Sequence, residues 1–122
     1  HFQYPPHDEM KLIVCLGGQV FDVAVDLRAG SPTAARHVHA VLSPFDAIVI
    51  PEGCAHGFQA LLPRSRLLYL HSADYAPASE GGVRFDDPAL GIAWPLPPAT
   101  VSERDLRLPG LQRALTGFAH HA

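Results

Sequence analysis

A single lysine, Lys11, stands among the nine basic side chains of this sequence, at the start of an apolar, β-branched run. Its plain use is to lay its stem along apolar surface and keep its head in water. Its chemical use is to hold fixed positive charge against negative charge developing on a substrate oxygen. His56 lies in Ile50-Pro51-Glu52-Gly53-Cys54-Ala55-His56-Gly57-Phe58, framed by a proline and two glycines. The glycines permit a tight reversal that can aim the imidazole into a barrel mouth. Tyr69, within Leu67-Leu68-Tyr69-Leu70, reads by default as a core tyrosine with a satisfied hydroxyl. Tyr75, in Ala73-Asp74-Tyr75-Ala76-Pro77, falls in a turn that would present its ring to a pocket. Asp105 can cap the last helix, or it can orient a histidine by fixing its tautomer and compensating the protonated ring.

His37 and His39 form a pair on one strand face, and with His56 they can be drawn as a three-histidine metal site. The Pro-Gly-His pattern around His56 is similar to that of cupin barrels, in which the histidine is often a metal ligand. A cupin's first metal motif continues to a glutamate, whereas Ala40, Val41 and Leu42 follow His39 here. A solvated strand face accounts better for His37 and His39, and no metal is expected.

Short strands punctuated by turn residues must position these groups, a pattern that predicts an all-β sandwich or barrel. Lys11 to Leu16 forms one strand, and Gly17-Gly18 offers the positive φ of a hairpin turn into the next, Gln19 to Leu27. Within that second strand, Phe21, Val23, Val25 and Leu27 share one face, and Asp22 and Asp26 the other. Further strands are predicted over Arg36 to Leu42, Ala47 to Ile50, Gly57 to Leu62 and Arg66 to His71. The Pro-, Gly- and Asp-rich stretch after Ser72 should pack as loop and short strand, anchored by Trp94. A short helix should follow Pro109.

At 122 residues the chain predicts a single domain spanning 1–122. A net charge of -3 and a pI near 6.2 give no basic field for nucleic acid. The apolar runs are too short to cross a membrane, and no signal peptide is expected, which together predict a cytoplasmic protein. Cys15 and Cys54 are too few for a disulfide framework and read as buried free thiols.

Taken in order, HFQxPP, MKL, GQVFDVAVDLRxGSPT, IPEGCAHGFQAL, LLYLHSADYAP, DDPALGIAWP and SERD resemble the dTDP-4-dehydrorhamnose 3,5-epimerase family up to about Leu111. The resemblance implies a cupin-like double-stranded β-helix, or jelly roll, usually a homodimer and using neither metal nor other cofactor. It implies epimerisation at C3, C5 or both of a dTDP-linked 4-keto-6-deoxyhexose, in deoxysugar biosynthesis of the rhamnose type. His1 falls at the histidine of the family's RGxHFQ motif and would be the general base. Asp105 would pair with it, Lys11 would stabilise the enolate oxygen, and Tyr69 would return a proton from the opposite face. Gln3, His56 and Tyr75 match residues that bind the sugar. Family members carry a segment before the histidine that this sequence is expected to lack, and Ala34 to His39 replaces the family's usual glycine and aromatics. The alternatives are an epimerase-like barrel without turnover that serves as a binding or structural module, and a metal-binding cupin.

Overall fold

The computed structural model describes residues 1–121, with side chains through residue 118. Eight strands form, in order β1 (Phe2–Gln3), β2 (Lys11–Gly17), β3 (Val20–Asp26), β4 (His37–Leu42), β5 (Ala47–Ile50), β6 (Cys54–Ala60), β7 (Arg66–His71) and β8 (Glu80–Gly81). Two helices follow, α1 (Glu103–Leu106) and α2 (Leu111–His121), the second at the place predicted after Pro109. No helix among the described residues is long and apolar enough to cross a membrane. The larger strands make two antiparallel sheets, β5-β2-β7 and β4-β3-β6, while β1 and β8 pair in a short ribbon. The fold is the expected cupin-like jelly roll.

Ile13 and Cys15 of β2, Val20 of β3, Leu42 of β4, Ile50 of β5 and Cys54 of β6 meet in one apolar cluster, which locks the two sheets face to face. Cys15 and Cys54 are buried free thiols, as expected. A second cluster lies on the other side of β3. There Phe21, Val23, Val25 and Leu27 are covered by Phe2, Val83 and Leu90 and by Leu111, Ala114 and Phe118 of α2. The predicted alternation along β3 therefore holds, but both of its faces are buried. Asp22 is fully buried, and Asp26 is 7% exposed.

Two-sided burial also explains why the expected hairpin at Gly17-Gly18 does not form. A strand covered on both faces is best placed as the centre of its own sheet, and β3 indeed pairs with β4 and β6. β2 pairs instead with β5 and β7. The Gly18 turn thus carries the chain across the gap between sheets. Its φ of 72° is the left-handed conformation that glycine supplies, and a Cβ there would lie 2.6 Å from the Ser65 backbone. The reversal before β6 rests on Gly53 (φ 77°), whose missing side chain makes room for the Arg28 stem. β6 starts at Cys54 rather than at Gly57, so His56 is held within a strand.

Asp26 closes the β3–β4 connection. Its carboxylate accepts hydrogen bonds from the Arg28 backbone and guanidinium and from the Ser31 and Thr33 hydroxyls, at 2.6–3.0 Å. These donors, Arg28 foremost, hold its pKa well below the ordinary carboxylate range. A depressed folded value stabilises the fold above the unfolded value, about pH 4, and that contribution is lost as pH falls below it. Asp26→Asn is therefore expected to cost about 2 kcal/mol in urea unfolding at pH 7. The difference from wild type should narrow at pH 3, and an equal gap at both pH values would refute this role.

Candidate active site

One cavity of about 640 Å³ receives His1, Lys11, His56, Tyr69 and Asp105 together, with Phe58 and Trp94 among its apolar walls. These groups come from both sheets, from the chain before β2 and from α1, and the fold converges them. His1 is bonded through its backbone in both directions to His56, with its nitrogen donating to the His56 carbonyl at 2.9 Å and its carbonyl accepting from the His56 amide at 3.0 Å. This seats His1 beside the edge strand β6. Its ring Nε2 donates to Asp105 Oδ1 at 2.7 Å, and its Nδ1 lies 3.4 Å from Glu80 Oε1. Two carboxylates therefore flank the imidazole, arranged to balance a positive charge placed on it.

Asp105 reaches His1 from the first turn of α1. Ser102 caps that helix, accepting from the Asp105 amide at 3.1 Å. Asp105 therefore does not cap the last helix. Asp87 takes that role, its carboxylate accepting from the Leu111 amide at 2.7 Å. Helix cap and imidazole partner are both aspartates, and their immediate neighbours in the chain do not tell the two contacts apart.

Between the sheets a second relay forms. His56 Nε2 donates to Asp22 Oδ2 at 2.8 Å, which leaves Nδ1 to accept from the Tyr69 hydroxyl at 3.3 Å. The tautomer follows from the network, since an ionised carboxylate can only accept. Burial first, and the Asp22 carboxylate second, push the Tyr69 phenol above its ordinary value, so it stays protonated well into alkaline solution. Asp22 is a site residue that the sequence did not single out. Alternation had set it apart from the apolar face of β3, but only the opposing sheet shows that this other face points into the barrel.

Lys11 is 7% exposed in its side chain, and its Nζ donates to the His1 carbonyl at 3.2 Å. Burial pulls its pKa below the ordinary lysine value, against the opposing influence of Glu9 and Glu80. Glu80 is a further residue missed from sequence. It accepts from the Tyr75 hydroxyl at 2.7 Å and pairs with Arg104. Burial works to raise its pKa, and these two partners together with His1 outweigh it, so the carboxyl ionises more readily than usual.

Two sequence candidates stand elsewhere. Gln3 is buried, and its amide is spent on backbone. Its nitrogen donates to the carbonyls of His7 and Asp74, and its oxygen accepts from the Ala76 amide. It ties β1 to the loop after β7. Tyr75 is 67% exposed, outside the cavity lining, and bonded to Glu80. The turn presents its ring to solvent, so any part it has in the site runs through Glu80. Trp94 anchors the late loop as predicted, donating to the Phe85 carbonyl at 2.9 Å.

His37 and His39 lie opposite Val25 and Val23 in the β3–β4 register, whereas His56 lies opposite Ala24. The first two therefore project from the outer face of the sheet, where His39 stacks on Phe21, and the third projects inward. The three cannot converge on one ion, and no group of three potential metal-binding side chains exists among the described residues.

The sequence profile of the dTDP-4-dehydrorhamnose 3,5-epimerase family matches residues 1–113. A dTDP-4-dehydrorhamnose 3,5-epimerase of Sinorhizobium fredii is 41% identical over 123 aligned residues, covering 98% of this chain and 63% of the relative. Among solved structures, the 4-keto-6-deoxy sugar epimerase NovW of Streptomyces spheroides superposes with a TM-score of 0.89 at 39% identity, covering 95% of this chain and 59% of that one. The dTDP-4-dehydrorhamnose 3,5-epimerase of Elizabethkingia anophelis gives 0.88 at 36% identity, covering 92% and 63%. The chain thus spans less than two thirds of the length of these relatives. With the family profile matching residues 1–113 and both sequence and fold shared along nearly its whole length, the chain belongs to the dTDP-4-dehydrorhamnose 3,5-epimerase family.

Proposed function

We propose that this chain epimerises C3, C5 or both of a dTDP-linked 4-keto-6-deoxyhexose. The observation that carries the proposal is the convergence in one cavity of a carboxylate-paired imidazole, a buried ammonium and a buried phenol. The C4 ketone acidifies the neighbouring C–H bonds. His1 takes the proton, and the C–H electron pair moves into a C–C double bond while the carbonyl pair moves onto oxygen. Asp105 and Glu80 balance the imidazolium so formed. Lys11 sets fixed charge beside the enolate oxygen, and desolvation in the cavity strengthens that interaction. Tyr69 returns a proton to carbon from the opposite face, which inverts the centre, and exchange with solvent restores both groups. His56, held by Asp22, keeps the phenol aimed. No cofactor or metal enters these steps, and they suit an enzyme of the cytoplasm.

A homodimer is part of the same proposal. The outer face of β5-β2-β7 exposes Leu16, Val49, Leu68 and Leu70, with Leu12 in register between Val49 and Leu70. Contiguous apolar surface of this kind marks an interface in a stable protein, and a second copy is its proposed cover. Sedimentation should give a dimer that Leu70→Glu dissociates; a monomeric wild type would exclude it.

Deuterium wash-in from D2O at C3 and C5 tests the chemistry. Wild type should exchange and invert, whereas a barrel that only binds would exchange no faster than buffer. Lys11→Ala is expected to slow exchange by about 10²–10³-fold. Tyr69→Phe should separate the two events, retaining exchange while losing inversion, because the base alone returns deuterium to the face it came from. Inversion at the wild-type rate in Tyr69→Phe would remove tyrosine as the acid. With Lys11 shifted down and Tyr69 shifted up, the alkaline limb of the rate profile should follow loss of the lysine proton, below its ordinary 10.5.

A further inference from the structure

Glu9 has no part in the proton transfers above, yet its side chain is only 8% exposed. Burying a carboxylate is costly unless its oxygens are matched, and both are. Oε1 lies 3.8 Å from Lys11 Nζ, and Oε2 lies 3.0 Å from His71 Nδ1. His71 faces Lys11 directly in the β2–β7 register, so one carboxylate bridges two residues that are cross-strand neighbours.

The two distances differ in kind. A closed ammonium–carboxylate hydrogen bond settles near 2.7–2.9 Å. At 3.8 Å the ammonium is compensated but not clamped, and its one close bond is to the His1 carbonyl. The bond to His71 holds the carboxylate at that remove. The other ionisable groups around the ammonium are Glu80 from β8, His1 before β1, His56 from β6 and Tyr69 from β7. Of the carboxylates, only that of Glu9 lies within 4 Å of Nζ among the described residues.

We propose that Glu9 is a positioning residue for Lys11, fixing the charge and direction of its ammonium while His71 keeps the carboxylate from closing on it. The cavity then meets substrate with a formed cation whose remaining N–H bonds are free. The proposal rests on the enolate-stabilising role given to Lys11 above.

Because the chain has one lysine, biosynthetic incorporation of ¹³Cε-lysine gives a single NMR signal that reports the Lys11 charge without any need for turnover. Glu9→Gln keeps the shape and can still hydrogen-bond His71, but removes the charge. Its Lys11 signal should titrate at lower pH than in wild type, and Glu9→Asp should restore the wild-type position. Wash-in at C3 and C5 should fall about tenfold in Glu9→Gln, less than when the cation is removed altogether. A Lys11 titration that coincides in wild type and Glu9→Gln would overturn the proposal and leave Glu9 a structural tether. If the titration shifts but Lys11→Ala exchanges normally, the enolate role fails while the hold of Glu9 on Lys11 stands. Should Glu9→Gln not fold, His71→Ala decides: with that bond gone Glu9 should close on Lys11 and move the Lys11 titration to higher pH, and an unmoved signal would refute the link.

Discussion

A carboxylate sealed between two β-sheets must find a donor, and the pairing of Asp22 with His56 organises this molecule around that requirement. Asp22 is fully buried on the central strand of its sheet, and the His56 ring meets it at 2.8 Å. An unpaired charge there would destabilise the fold by several kcal/mol. Pairing sets the His56 tautomer, and the tautomer sets what Tyr69 can do, since only an unprotonated Nδ1 can accept the phenol. Tyr69 belongs to the opposite sheet. One buried contact thus joins both sheets to the phenol proposed as the proton donor, and couples correct folding to the geometry of the cavity.

The remaining charges come in pairs around the same cavity. His1 sits between Asp105 and Glu80, and Lys11 between the His1 carbonyl and Glu9. Each group that would carry positive charge during the proposed reaction has a carboxylate already in place. Little reorganisation would then accompany the transfers, which is how fixed dipoles and charges outperform water. The arrangement depends on backbone as much as on side chains, because the two-way bond between His1 and His56 seats the imidazole against the strand bearing the second histidine.

Much of this was legible in the residues. The strands and the helix after Pro109 followed from alternation and breakers, and Lys11 drew notice by being alone. Where expectation and structure part, the reason is non-local. Gly17-Gly18 has the chemistry of a hairpin, but the burial of β3 on both faces assigns the next strand to another sheet. Gln3 and Tyr75 lie in matched motifs, yet backbone groups consume the amide of Gln3, and the turn sends the Tyr75 ring to solvent. His37, His39 and His56 are close in sequence, and strand parity parts them.

Which side chains are available, the period-2 faces on which they lie and the turns that glycine permits are all local matters, because they depend on neighbours a few residues apart. It took the packed sheets to turn the aspartate face of β3 inward, to bring Asp87 onto the start of α2, and to set Glu9 beside Lys11 and Glu80 beside His1. Most of those contacts join residues many positions apart, and they exist only once packing the apolar clusters has set the two sheets face to face.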